Sequence, residues 1–141
     1  MPDLDPFTLQ RFVDAQQPIY AQVTAELAAG TKTSHWMWFV FPQLRALGRS
    51  ATALHYGLGS RAEARAYWQH PLLGARLAEC SALVLNTQGR SALQIFGATD
   101  AIKLRSCMTL FEAVAPEAPV FAQVIDRFHE GQRDPLTLAL L

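Results

Sequence analysis

Charge is scarce in this sequence, and what there is cancels. Asp, Glu, Lys and Arg make up 17% of the 141 residues, 12 acidic against 12 basic, where an average soluble chain carries roughly 25%. There is no broad basic field to attract a phosphate backbone, which disfavours sequence-independent nucleic-acid binding. Cysteine is nearly absent. Cys80 and Cys107 can neither build a disulfide framework nor supply a zinc-binding CxxC pair. Long apolar runs are missing too: the longest, Trp36 to Phe41, falls far short of the roughly 20 residues a membrane helix needs. The opening "MPDLDPFTLQ" lacks the basic start and apolar stretch of a signal peptide. These absences describe a cytoplasmic, soluble protein with no membrane and no nucleic-acid partner.

Alternating strand patterns with hairpin turns are also missing, as are repeats and low-complexity segments. What is present is helix punctuation. Asp5 before Pro6 sets a side-chain acceptor ahead of a ring that needs no N–H. Pro18 opens a second helix that Gly30 closes. Ser60 and Glu63 have the spacing of a capping box, and Pro71 forces a break. Leu73, Leu77, Cys80 and Val84 then share one helical face. Ser91 caps a short helix that stops at Gly97, Thr99 or Asp100 starts the next, and Pro119 begins another that Gly131 closes. The apolar tail "RDPLTLALL" packs down. Half the residues are hydrophobic, enough for a core without staples. The expected fold is all-α: a single compact, bundle-like domain over residues 1–141, with about six to seven helices of ordinary length. "WMWFVF" is the one strand candidate. A lone strand in a helical protein would leave its backbone groups unpaired, so this segment is expected as a helical turn or irregular core segment ended by Pro42.

The chemistry-bearing residues are few. There is no G-x-S-x-G elbow and no Cys–His signature for covalent catalysis. None of His35, His55, His70 and His129 has the i, i+4 partner of a metal site, and no cofactor is implied. "GLGSRA", Gly57 to Ala62, matches G-x-G-x-x-G/A but lacks the preceding strand of a dinucleotide fold. What survives is a helix N-terminus where Ser60 and Arg61 could seat one phosphate. Asp100 points along the same direction as Leu104, Cys107 and Phe111, with Lys103 on the edge of that stripe. Charged groups there are costly unless they pair or serve a cleft. Either Asp100 caps its helix and Lys103 pairs with it at i, i+3, or Asp100, Lys103 and Ser106 line a pocket with the aromatics of residues 36–41. Within that cluster Phe39 and Phe41 are core. Trp36 or Trp38, flanked by His35 and Gln43, is the pocket wall, since rings beside amides can stack a nucleobase or nicotinamide.

"HWMWFVFPQL", Leu47–Gly48 with Ser50, "EARAYWQHPLLGARL" and "FGATDAIKLRSCMTLF" together resemble the bacterial and fungal family called domain of unknown function 1810 over nearly the whole chain. The resemblance implies a compact helical fold and no established activity. A fainter similarity, in the order of "EARAYWQHPLLGARL", a short helix and an aromatic–Gly–Asp segment, is to the NADAR superfamily, which is linked to NAD and ADP-ribose chemistry. That superfamily's acidic segment with a Tyr–Gln pair and its Trp–Gly pair are absent here, so no catalytic residue carries over.

Two functions follow. In the first, a small-molecule-binding protein or metal-independent enzyme takes an ADP-ribose-like or NAD-like ligand. Trp36 or Trp38 stacks a ring, and His35 and Gln43 hydrogen-bond it. Lys103 or Arg61 meets phosphate, Ser106 adds a hydroxyl, and Asp100 serves as general base with Lys103 beside it. In the second, a structural or protein-interaction module uses its aromatics simply as core. Residues 35–43 and 100–106 share one cleft in the first and need not in the second.

Overall fold

The computed structural model describes residues 5–141. Among them the fold is all-α, with no strand beyond a single parallel bridge between Leu44 and Leu58. The helices are α1 (Gln10–Gln16), α2 (Tyr20–Ala28), α3 (Met37–Val40), α4 (Ala51–His55), α5 (Arg61–Gln69), α6 (Pro71–Leu85), α7 (Ala92–Val114), α8 (Val120–Phe128) and α9 (Pro135–Leu140), with a 3₁₀ turn at Arg45–Leu47. Nine helices among the described residues exceed the six or seven expected. The surplus lies in the short elements α3, α4 and α9, of four, five and six residues. "WMWFVF" holds the helical turn α3, ended at Phe41 before Pro42.

The punctuation works much as the residue types dictate. Asp5 accepts the N–H groups of Leu9 and Gln10 at 2.7 and 2.9 Å, although regular helix begins at Gln10. Ser91 and Gln94 form a reciprocal capping box at the start of α7. Ser60 and Glu63 form only half of one. Ser60 Oγ accepts from Glu63 N, but the Glu63 carboxylate takes the N–H of Gly59 instead and pairs with Arg11 at 2.8 Å. That carboxylate thereby uses the Gly59 N–H, a backbone donor of the glycine turn before α5. At the α5–α6 break His70 serves as cap, its Nδ1 accepting from Leu72 and Leu73 N–H at 3.2 Å each.

α7 runs through the centre, packed on α5, α8 and α9, while α6 packs on α2, α5 and α8. Phe12, Trp36, Tyr67, Leu77, Phe111 and Phe121 are fully or almost fully buried between them. Gly97 divides α7 with φ 82° and ψ 167°, a conformation essentially reserved for glycine. The break expected at this residue is therefore real, within one continuous element. The tail docks by its polar residues: Asp134 and Thr137 are buried against α7, whereas Leu136, Leu138 and Leu140 remain 65%, 52% and 50% exposed.

Candidate functional site

Trp36 explains the aromatic stretch first. Its indole N–H is donated to Glu26 Oε1 at 3.0 Å, and the same carboxylate accepts the backbone N–H groups of Thr33 and Ser34, Ser34 Oγ and Gln22 Nε2. Burial pushes the Glu26 carboxyl up, yet the bonds from Ser34, Thr33, Gln22 and Trp36 outweigh it and bring it down to about 2. The segment before α3 is thus fastened to α2. Gln16 fastens α3 from the other side, donating to Phe39 O at 2.6 Å. Beyond Pro42 the chain runs along Leu58, with Leu58 N–H donated to Gln43 O and Arg45 N–H to Leu58 O. Gly57 is required there, because a Cβ would lie 2.4 Å from Arg45 Cα.

This bracing aims Gln43 into an open groove of about 550 Å³, within the range of small-molecule sites. Three parts of the chain form it. The loop and turn after α3 supply Gln43, Ala46, Leu47 and Arg49. α7 supplies Thr99, Ile102, Lys103 and Ser106, which at i, i+3, i+4 and i+7 share one helical face. The tail supplies Asp134, Leu136, Ala139 and Leu140.

The polar groups are held in different ways. Lys103 Nζ lies 5.0 Å from the Trp38 ring centroid and 3.7 Å from Asp100 Oδ1. Trp38, Gln43 and Lys103 also border a void of about 10 Å³, room for one water and no slot for a stacked base. Asp134 forms the groove's buried floor and caps α9. Its Oδ2 accepts Ser106 Oγ at 3.0 Å, Thr137 N at 3.1 Å and Thr137 Oγ1 at 2.5 Å. Burial works against its charge, but those bonds and Arg105, 3.6 Å from Oδ1, prevail and hold the carboxyl below its usual range.

Of the residues expected at a site, the structure brings Gln43, Lys103 and Ser106 into one groove. Trp38 and Asp100 touch it through Lys103 without lining it. Asp100 sits between two ammonium groups, Lys103 and the buried Lys32, whose Nζ is 2.7 Å from Oδ2. Trp36 is not a pocket wall: it is 2% exposed and its N–H is used by Glu26. His35 is exposed outside the groove. Arg61 borders a separate depression with Arg65 and Val114. Arg49 and Asp134 escaped the sequence reading. "RDP" carries the signal of a capped helix with Pro in its first turn, but nothing in it tells which surface that cap meets. Among the described residues no group of three or more His, Cys, Asp or Glu is placed to hold a metal ion, and no helix is long and apolar enough to cross a membrane.

The family model described as "Protein of unknown function (DUF1810)" matches residues 6–141. The chain belongs to the DUF1810 family. The crystal structure of the conserved hypothetical protein Rv1873 from Mycobacterium tuberculosis is similar at 52% identity and a TM-score of 0.96, over 97% of this chain and 98% of that one. No curated protein matches. DUF1810 membership thus agrees with the all-α fold and names no reaction. The match gives no support to the second resemblance, to the NADAR superfamily.

Proposed function

We propose that this DUF1810 protein binds a small, nucleotide-derived ligand of the ADP-ribose or NAD kind in the groove between the loop after α3, α7 and α9. The observation that carries the reading is the convergence of Gln43, from the loop after α3, with Lys103 and Ser106 of α7 on one cavity of about 550 Å³. Lys103 and Arg49 supply the positive charge for a phosphate, and Leu47, Ile102, Leu136 and Leu140 supply apolar walls. The reading is of a binding site that needs no metal. Asp100 positions Lys103 in it rather than acting as a base, because both of its oxygens face ammonium groups.

A second reading has one observation in its favour. Ile102, Leu136 and Leu140, on the groove, are 50–65% exposed, which suits an apolar protein segment. Thermal melting against ADP-ribose, NAD, AMP, nicotinamide and inorganic phosphate separates the two. A bound ligand at 100 times its dissociation constant adds about 2.7 kcal/mol, which raises Tm by roughly 5–10 °C in a chain of this size. The expected result is the largest shift with a phosphate-bearing nucleotide compound and its loss in Lys103→Met. A flat response across the panel favours the interaction module.

A further inference from the structure

The floor of the groove has the wrong charge for a phosphate, and that narrows the ligand. Asp134 lies there with its side chain 5% exposed. Its two oxygens are not equivalent. Oδ2 already accepts three hydrogen bonds, from Ser106 and twice from Thr137. Oδ1 has Arg105 at 3.6 Å, too far for a hydrogen bond, and so retains acceptor capacity. An ionised acceptor on a residue that lines a groove can take a donor from whatever fills it, and leaving such an acceptor without one once water is displaced is costly. A phosphate beside it would meet like charge. The cations stand elsewhere on the wall: Lys103 precedes Ser106 by one turn of α7, a rise of about 4.5 Å, and Arg49 comes from the loop opposite.

We infer that the groove takes a phosphorylated sugar, its phosphate at Lys103 and Arg49 and a sugar hydroxyl donated to the Asp134 carboxylate. The inference rests on the groove being the binding site and adds what the site discriminates. A bare anion satisfies the cations and brings no hydrogen-bond donor to Asp134 Oδ1. A free base has no group for Lys103. A sugar phosphate joins an anion and a hydroxyl a few bonds apart, matching one helical turn, and its carbon face can lie on Ile102 and Leu136.

The test is calorimetric titration with ribose 5-phosphate and with methyl phosphate, which keeps the anion and lacks the hydroxyls. Asp134→Asn suits the comparison. Asn caps helices as well as Asp does, so its amide oxygen can keep the bonds from Thr137 while an NH₂ replaces the Oδ1 acceptor. Wild type should bind ribose 5-phosphate about 10- to 100-fold more tightly than methyl phosphate, the worth of one hydrogen bond to a charged acceptor. Asp134→Asn should erase that ratio and leave methyl phosphate unchanged, whereas Lys103→Met should weaken both. Equal binding of the two compounds by wild type, or a ratio that survives Asp134→Asn, overturns the inference while leaving the groove as a phosphate site. Binding of neither compound overturns the groove reading itself. Should Asp134→Asn fail to fold, the wild-type ratio decides alone.

Discussion

Trp36 and Glu26 hold each other in the core, the indole N–H donated to the carboxylate at 3.0 Å. Trp38, two residues on, is only partly buried and lies against Lys103. The two tryptophans therefore have different duties. Trp36→Ala should cost about 3–5 kcal/mol in urea unfolding, the range for a buried aromatic truncation. Trp38→Ala should cost clearly less and should weaken ligand binding through Lys103. Equal and severe destabilisation by both would contradict this division.

Acid sensitivity should come in two steps. His129 is kept neutral, since burial and then the charge of Arg105 push it down to about 4 from its ordinary 6.5. Its folded value lies below its unfolded one, so its contribution is complete above pH 6.5 and lost as pH falls towards 4. Glu26, at about 2 against an ordinary 4.5, contributes fully above pH 4.5 and loses that contribution as pH falls towards 2. Urea midpoints measured across this range should lose the upper step in His129→Gln and the lower step in Glu26→Gln. An acid limb identical in wild type and Glu26→Gln would refute the second assignment.

Asp100 should matter more to the fold than an exposed i, i+3 pair would. Lys32, its partner at 2.7 Å, has a side chain only 6% exposed. Asp100→Asn strands that charge and should cost about 3–5 kcal/mol, the range for a buried pair that loses one partner, against about a kcal/mol or less for an exposed pair. Lys32→Met combined with Asp100→Asn should recover a substantial part of the loss, a coupling that a double-mutant cycle reads directly. Strict additivity of the two changes would show that the pair is not coupled.

Gly97 offers open space and still resists substitution. Beyond its chain neighbours and the backbone of its own helix, no atom lies within 4 Å of where a Cβ would sit, so packing partners are not the obstacle; φ of 82° is. Gly97→Ala should therefore lower stability by about 1–3 kcal/mol, seen as a reduced Tm. A neutral or stabilising effect would mean that α7 straightens without loss.

Local signals were legible and returning contacts were not. Ser91, Gly97 and Pro71 act within a few residues of themselves, and each is found at the start or break that its residue type dictates, whereas Asp5 binds the N–H groups of Leu9 and Gln10 and α1 begins only at Gln10. Trp36 could not be told from Trp38 in sequence, because the choice depends on Glu26, ten residues earlier on another helix. Asp100 and Lys103 do pair as their spacing suggests, but Lys32, which lies closest to Asp100, comes from the loop after α2. The groove was half legible. Gln43, Lys103 and Ser106 share it, while Asp134 and Arg49 reach it through the docking of α9 and the turn after α3, a matter of tertiary packing alone.

Amide chemical-shift mapping with ribose 5-phosphate tests the central claim, that this groove is a ligand site, most directly. Saturable shifts should appear at residues 43–49, 99–106 and 134–140 in wild type and disappear in Lys103→Met. Shifts centred instead on residues 60–65 near Arg61, or no saturable shift anywhere in the chain, would contradict it.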